Sequence, residues 1–283
     1  MASARVGSLH RYPLKGARAI DVEEAVVTPR GIEGDRRYMV VDAGDRFVSQ
    51  REASRLALVT ALPVPGGLRL GAPGRPWLEV PLVEDRAASR VLRLWAGTCL
   101  GVDQGDRAAL WLGEWLRRPV RLVWQPETAR RGVDPRYATG PGDVVSFADG
   151  FPLLVCSRES LADLNAHLET PVPMNRFRPS LVVDGWSVPW REDRVARLRA
   201  GDVELALVKQ CARCVVTTVD QQTAERGREP LRTLARLRRS ERGAMFGENA
   251  IPTAVGRVAV GDRVEVVEAR DQELEPVWSA AES

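Results

Sequence analysis

The amino-acid sequence predicts a mixed, β-rich α+β fold that begins with a β-barrel-like domain. Two observations support this fold class. The first hundred residues contain many short apolar segments separated by turn residues, a spacing typical of barrels or sandwiches rather than of alternating β-α units. After residue 105, segments with helical periodicity alternate with short apolar runs, which indicates mixed helices and strands.

The first part of the chain is predicted to form eight strands. Ala43-Gly44-Asp45 is a hairpin signal between the third and fourth of them. An amphipathic helix then begins at Asp106, its cap, and ends at Arg118, because Pro119 cannot continue it. The predicted strands span residues 6–12, 21–27, 37–42, 46–49, 56–62, 68–70, 78–80 and 91–95.

Residues 126–142 are rich in Pro, Gly and Arg, and a loop of this length is typical of a functional or mobile segment. We place the domain boundary here, between a first domain of residues 1–125 and a second of residues 126–283. In the second domain, Ser157 caps a helix that runs to Leu168. The remaining predicted elements are a helix at 230–237 and strands at 120–124, 153–156, 181–183, 203–208, 214–219 and 263–267.

The composition excludes several classes of partner and site. With 41 basic and 38 acidic residues, the net charge is only +3, which argues against nucleic-acid or membrane binding. The first residues lack the apolar stretch of a signal peptide, and four cysteines are too few for a disulfide scaffold. We therefore predict a cytoplasmic protein with reduced thiols. Its abundance of Arg, Ala, Gly and Val is typical of GC-rich bacteria.

The segment Cys211-Ala212-Arg213-Cys214 carries the clearest chemical signal. A thiolate is a nucleophile and a soft metal ligand, and a neighbouring guanidinium favours its ionised form. A zinc site would need about four ligands, and neither the other cysteines nor the two histidines have suitable spacing. A thioredoxin-like dithiol would open a helix, whereas Cys214 enters a Val-Val-Thr-Thr run. The residues favour one reactive thiolate at Cys214; the alternative is a structural cysteine.

A second signal is a set of basic residues in distinctive local contexts. The sequence has no phosphate-binding Gly-rich loop, no dinucleotide fingerprint and no catalytic triad. Converging guanidinium and ammonium groups suit an anionic phosphate, whereas isolated arginines usually face solvent. Both interpretations stay open for Lys15, Arg36, Arg178 and Arg213.

Five short motifs occur in order along the chain: Tyr12-Pro13-Leu14-Lys15, Gly31-Ile32-Glu33-Gly34-Asp35-Arg36, Asp149-Gly150-Phe151-Pro152, Arg176-Phe177-Arg178-Pro179 and Arg213-Cys214-Val215-Val216-Thr217-Thr218-Val219-Asp220. Together they resemble the MOSC-domain proteins that carry an N-terminal MOSC β-barrel. That group includes YcbX-type proteins, the mitochondrial amidoxime-reducing component and the C-terminal part of molybdenum cofactor sulfurase. The resemblance implies a MOSC-type β-barrel domain with peripheral helices after the N-terminal barrel.

The resemblance also implies a molybdopterin-type molybdenum cofactor held between the two halves. By matching position, Cys214 would be the molybdenum ligand and a catalytic residue. Asp220 would either shape the strand end or deliver protons. The other implied cofactor-binding residues are Lys15, Gly16, Arg36, Gly150, Phe151, Arg178 and Arg213.

The activity implied by the resemblance is reduction of small N-hydroxylated or N-oxygenated compounds, such as amidoximes. Electrons would come from a separate ferredoxin-like or flavoprotein reductase, because the sequence lacks the four-cysteine cluster of an iron–sulfur domain. The alternative is a sulfur (persulfide) or molybdenum cofactor carrier that uses Cys214. Two positions depart from the family pattern, Ser180 and the pair Thr223-Ala224.

Overall fold

The computed structural model describes residues 3–85 and 88–270. Nineteen strands and three α-helices form in these ranges, which confirms the β-rich α+β prediction. None of the described helices is both long and apolar enough to cross a membrane. The helices are α1 (Asp106–Leu116), α2 (Arg158–Ala166) and α3 (Leu231–Leu237).

The strands fall into a largest sheet and several smaller ones. In chain order they are β1 (Arg5–Arg11), β2 (Ile20–Val22), β3 (Glu24–Thr28), β4 (Gly31–Ile32), β5 (Tyr38–Val41), β6 (Thr60–Val64), β7 (Gly67–Gly71), β8 (Leu78–Pro81), β9 (Ser89–Leu94), β10 (Gly97–Asp103), β11 (Arg121–Trp124), β12 (Leu153–Ser157), β13 (Leu181–Asp184), β14 (Val195–Ala200), β15 (Val203–Arg213), β16 (Arg239–Ser240), β17 (Gly243–Ala254), β18 (Gly256–Ala259) and β19 (Val264–Ala269).

The two halves of the sequence share sheets. The largest sheet has the order β19-β14-β15-β17-β12-β13-β1-β2, with β16 paired to β17. Its strands β1 and β2 come from the first thirty residues, and β1 runs antiparallel to β13. Strand β3 likewise pairs with β18, near the other end of the chain. The boundary at residue 126 stays a prediction, but the strands on its two sides are interleaved.

The first half has its own core beneath two smaller sheets, β5-β11-β10-β9 and β6-β7-β8. Helix α1 packs against this core through Trp111, Leu112 and Trp115. The indole nitrogen of Trp115 donates to the Arg55 carbonyl at 3.0 Å, so the helix is held by a polar contact as well as by apolar burial. Asp106 is the first helical residue, and Gly105 rather than Asp106 occupies the cap.

Helices α2 and α3 cover one face of the largest sheet. Between them the rings of Phe177 and Phe246 stack with centroids 3.8 Å apart, beside the buried Leu164 and Leu234. The Ser157 side chain accepts a hydrogen bond from the Ser160 amide, which confirms it as the cap of α2.

The predicted strand at residues 214–219 is wrong. Strand β15 ends at Arg213, and a short 3-10 helix, Val215–Thr218, follows directly. The Thr217 amide and hydroxyl both donate to the Cys214 carbonyl, at 3.0 and 2.9 Å. The Thr218 hydroxyl donates to the Val215 carbonyl at 2.8 Å. These local side-chain bonds replace the ladder bonds that the β-branched run suggested.

Three other predicted strands differ from the structure, and several strands were not predicted, among them β10, β14, β18 and the twelve-residue β17. Residues 46–49 make only isolated bridges, residues 56–62 divide into a 3-10 helix, Ser54–Leu58, and β6, and residues 21–27 divide into β2 and β3. Strand β17 was missed because Gly247, Glu248, Asn249 and Pro252 interrupt its apolar pattern.

Candidate active site

One cleft is lined by residues from both halves of the chain and encloses about 910 Å³, including solvent at its open mouth. Every residue that the sequence predicts to bind a cofactor lines it. The structure therefore brings together residues that are as far apart in the sequence as Lys15 and Cys214. The predicted lining residues are Lys15, Gly16, Arg36, Gly150, Phe151, Arg178, Arg213 and Cys214.

Lys15 is buried in the wall of this cleft, with 5% of its surface exposed. Its amide donates to the Tyr38 carbonyl at 2.8 Å, and its ammonium group forms an ion pair with Asp149. The ammonium also lies 4.7 Å from the centre of the Phe47 ring. Burial lowers the pKa of Lys15 to about 8, although Asp149 opposes this shift. Lys15 is therefore a cation held in a site that favours loss of its proton.

Asp149 contributes a carboxylate to the lining of the cleft. It accepts hydrogen bonds from Lys15 and, at 3.0 Å, from the indole nitrogen of Trp95. Surrounding protein disfavours its charge, but Lys15, Trp95 and Arg36 together hold its pKa well below the usual range. Its side chain remains 73% exposed to the solvent of the cleft, so Asp149 is a hydrated anion within reach of a ligand.

Two guanidinium groups lie against the buried ring of Tyr12. Arg36 and Arg178 have their guanidinium carbons 4.5 and 4.3 Å from the ring centre. Both residues adopt left-handed backbone conformations, with φ of 49° and 57°. Arg36 pairs with the buried Asp35, and Arg178 donates to the Ala17 carbonyl at 2.7 Å. Burial lowers the pKa of Arg178 to about 10, and the Arg36 charge adds to this effect.

The guanidinium of Arg213 contacts Cys211 rather than its sequence neighbour Cys214. It donates to the Cys211 sulfur at 2.9 Å and to the Phe177 carbonyl at 2.6 Å. Burial disfavours the charge of Arg213, but the nearby cysteine sulfurs outweigh this and raise its pKa. Cys211 belongs to the wall of the same cleft as Cys214.

Cys214 stands at the junction between β15 and the following 3-10 helix. Its backbone is extended, with φ −128° and ψ −178°, and its carbonyl receives both bonds from Thr217. Its half-buried side chain lines the cleft. This junction holds the sulfur on a fixed backbone at the end of a long strand, which suits a metal ligand or a nucleophile.

Asp220 lies outside the set of described residues that line the cleft. Its carboxylate accepts from Arg176 at 2.8 Å and from the amides of Gln222 and Thr223 at 2.8 and 3.0 Å. These bonds fix the turn after the 3-10 helix. The geometry agrees with the structural alternative for Asp220, while proton delivery by Asp220 stays a prediction.

Sequence reasoning missed part of the cleft wall. Asp149 lies within one of the five motifs, but no role was predicted for it. The other missed residues gave no signal because a single aromatic or basic residue beside a strand is common; they are Phe47, Arg51 and Trp95. The sequence also gave no sign of a contact that joins the two halves, in which the side-chain amides of Gln50 and Gln221 bond reciprocally at 3.2 and 3.1 Å.

Comparison with known proteins agrees with this architecture. A MOSC domain matches residues 142–265, and a MOSC N-terminal beta barrel domain matches residues 3–119. The chain is 34% identical over 276 residues to mitochondrial amidoxime-reducing component 1 of Homo sapiens, covering 92% of this chain and 82% of that protein. It is 31% identical over 282 residues to the Xenopus laevis protein of the same name, covering 92% and 81%.

Mitochondrial amidoxime reducing component 2 of Homo sapiens is 32% identical over 278 residues, covering 92% of this chain and 82% of that protein. These matches extend over about nine tenths of the chain, and the two domain matches together include the residues that line the cleft. The chain therefore belongs to the family of MOSC-domain proteins with an N-terminal MOSC β-barrel, the family of the mitochondrial amidoxime-reducing components.

Proposed function

We propose that this protein is a molybdenum-cofactor-dependent enzyme that reduces N-hydroxylated compounds. The observation that supports this most directly is that Cys214 lines the same cleft as basic residues from both halves of the chain, among them Lys15, Arg36, Arg178 and Arg213. Relatives named amidoxime-reducing components match over nine tenths of its length.

The chemistry of the cleft fits a cofactor that carries both a phosphate and a metal. Lys15, Arg36, Arg178 and Arg213 face only two carboxylates in direct ion pairs, Asp35 and Asp149. The excess positive charge suits a phosphate dianion. The described residues hold no cluster of three or more His, Cys, Asp or Glu side chains that could bind a metal alone. A metal at Cys214 would therefore need most of its ligands from its own cofactor, as molybdopterin provides.

In this proposal the protein binds and orients, and the cofactor performs the redox step. The four basic residues would hold the phosphate and the pterin edges, and Cys214 would ligate the metal through its thiolate. Gly16, Gly150 and Phe151 would shape the wall. When bound, the molybdenum cofactor supplies two-electron oxygen removal: the N–O bond breaks, and the oxygen leaves as water after two protons are added. The Lys15 ammonium, whose pKa burial lowers to about 8, would be the proton donor of the ion pair that it forms with Asp149.

The two electrons require a second protein, for which we propose a separate ferredoxin-like or flavoprotein reductase. The substrate would be a small N-oxygenated molecule, since the cleft is of small-molecule size. The cytoplasmic location and the bacterial source stay predictions of the sequence.

The proposal is tested by metal analysis and turnover. Wild type and Cys214→Ser are purified from a host that makes molybdenum cofactor, and molybdenum is measured by mass spectrometry. We expect near-stoichiometric molybdenum in the wild type and its loss in the variant. Wild-type protein should also reduce benzamidoxime with reduced methyl viologen as an artificial donor. Zinc or no metal in both proteins would contradict the proposal, and a labile extra sulfur on Cys214 would favour the carrier alternative.

A further inference from the structure

The hairpin between β9 and β10 has a tryptophan where its backbone favours glycine. Leu94 pairs with Gly97, which leaves Trp95 and Ala96 as a two-residue turn. Trp95 has a φ of 57°, in the left-handed region that bulky residues rarely adopt. Strain of this kind persists where the side chain has a compensating role.

Core packing does not supply that role. The comparable residue Trp190, with a φ of 61°, packs edge-on against Phe246 and donates to Asp163 at 2.8 Å, so it belongs to the core. Trp95 instead remains 45% exposed and lines the cleft. The hairpin therefore places a large aromatic side chain at the cleft, and this placement costs backbone strain.

The Trp95 ring is nevertheless held in one orientation. Its indole nitrogen donates to Asp149 at 3.0 Å, and its ring meets Phe47 edge to face with centroids 5.6 Å apart. The Arg51 guanidinium lies 4.5 Å from the ring centre. A rigid, partly exposed π-surface next to the Lys15–Asp149 pair is suited to stacking a planar ligand whose polar end reaches that pair.

We infer that Trp95 is the stacking surface for planar, aromatic N-oxygenated substrates, such as aryl amidoximes or N-hydroxylated nucleobases. This inference rests on the proposed function and names the substrate class of the same cleft. It makes Trp95 a specificity residue: it favours aromatic substrates over small ones with the same N–O group.

The kinetic test compares two substrates and two variants. We expect Trp95→Gly to lower the ratio of kcat/KM for benzamidoxime to kcat/KM for hydroxylamine about tenfold, chiefly through KM. Trp95→Phe keeps a π-surface but loses the N–H donor, so the ratio should stay within about threefold of wild type. If Trp95 only positions Asp149, both variants would slow both substrates in parallel and the ratio would not move, which would overturn the inference.

A binding measurement separates this inference from the proposed function. Saturation-transfer NMR on cofactor-free protein, with benzamidoxime itself as the probe, should show transfer to the ring protons in wild type and its loss in Trp95→Gly. Trp77→Phe is the control, because Trp77 is similarly exposed but lies beside Arg69, outside the described lining of the cleft. Equal transfer in wild type and Trp95→Gly, or none in wild type, would overturn the inference. A wild type that binds the probe but reduces neither substrate would contradict the proposed function alone.

Discussion

Arg213 donates a hydrogen bond to the Cys211 sulfur at 2.9 Å, and no such bond joins it to Cys214 among the contacts of the described chain. The two cysteines, three positions apart, therefore have different environments. The sulfur of Cys211 accepts this hydrogen bond from a cation, while Cys214 stands directly after the end of β15 and has no side-chain hydrogen bond among the described contacts. The difference assigns them different tasks in the proposed enzyme.

If Cys214 is the metal ligand, Cys211 should be dispensable for metal binding. We expect Cys211→Ser to retain molybdenum near the wild-type level, because serine can still accept from Arg213, whereas Cys214→Ser loses it. Mass-spectrometric metal analysis of both variants, purified in parallel, measures this. Equal loss in both would show that the pair acts together and that the assignment of Cys214 alone is wrong.

Lys15 should give the cofactor-free protein a distinct alkaline stability profile. Burial lowers its pKa from 10.5 to about 8, so between these values the unfolded chain holds the proton more often than the folded chain. The free energy of unfolding should therefore rise as the pH increases from about 8 to 10.5. This gain is lost when the pH is lowered back through 8. Relative to Lys15→Met, wild type should gain about 3 kcal/mol in free energy of unfolding across this pH range.

Chemical denaturation of wild type and Lys15→Met at several pH values measures the difference between their free energies of unfolding. The effects of titrating groups that both proteins share cancel in this difference. The sequence contains only two lysines, Lys15 and Lys209, so ¹³C reductive methylation gives a direct check by NMR. The Lys15 signal, identified by its absence from Lys15→Met and so distinguished from the N-terminal amine, should titrate near pH 8, and added inorganic phosphate should raise that midpoint. A Lys15 midpoint near 10.5 would refute the prediction.

Gly31 has a steric role that can be measured by comparison with Gly66, a second glycine with a positive φ. It has a φ of +95°, and a Cβ there would lie 2.5 Å from the Pro152 carbonyl oxygen, next to the cleft residue Phe151. Gly66 has a φ of +71° with nothing within 4 Å of its Cβ position. We expect Gly66→Ala to cost about 1–2 kcal/mol from backbone strain, and Gly31→Ala about 2 kcal/mol more from the clash. Urea denaturation measures both, and equal losses would contradict the close approach.

Glu192 is fully buried and accepts hydrogen bonds from Ser157 and Ser160 at 2.9 and 2.8 Å. Burial first, and then Asp193, raise its pKa from 4.5 to about 7. The folded state therefore holds this proton more tightly, so its contribution to stability is complete below pH 4.5 and is lost as the pH rises through 7. In Glu192→Gln, the free energy of unfolding should fall by about 3 kcal/mol less than in wild type between pH 4.5 and pH 7. An exposed control, Glu169→Gln, should leave the profile unchanged; a Glu192→Gln profile parallel to wild type would refute the assignment.

Local signals in the sequence predicted the fold class, and the family resemblance carried by contiguous motifs predicted much of the cleft. Short strands, turn residues and the motifs around Lys15, Arg36, Arg178 and Cys214 are each contiguous in the chain. What it could not predict depends on contacts between distant segments. The pairing of Lys15 with Asp149 and the display of Trp95 arise only when β1 and the β9–β10 hairpin meet the second half of the chain.

The prediction was wrong where the composition of a segment favours one structure and its local hydrogen bonds favour another. The run from Val215 to Thr218 has the β-branched composition of a strand, yet its threonine hydroxyls bond to carbonyls three residues back and close a 3-10 turn instead. Strand β17 shows the converse, because its pairing with β12 and β15 overrides the glycines and polar residues in its sequence.

The interleaving of the sheets has a consequence for biosynthesis. Lys15 and Arg36 leave the ribosome before β15, Cys214 and β17, and β1 finds its partner β13 only after all of the chain between them has been made. The cleft cannot form until β15 and β17 have been synthesised. Any large cofactor must therefore be loaded after these distant segments have folded together, so the delivery system has to recognise a folded molecule rather than a growing peptide.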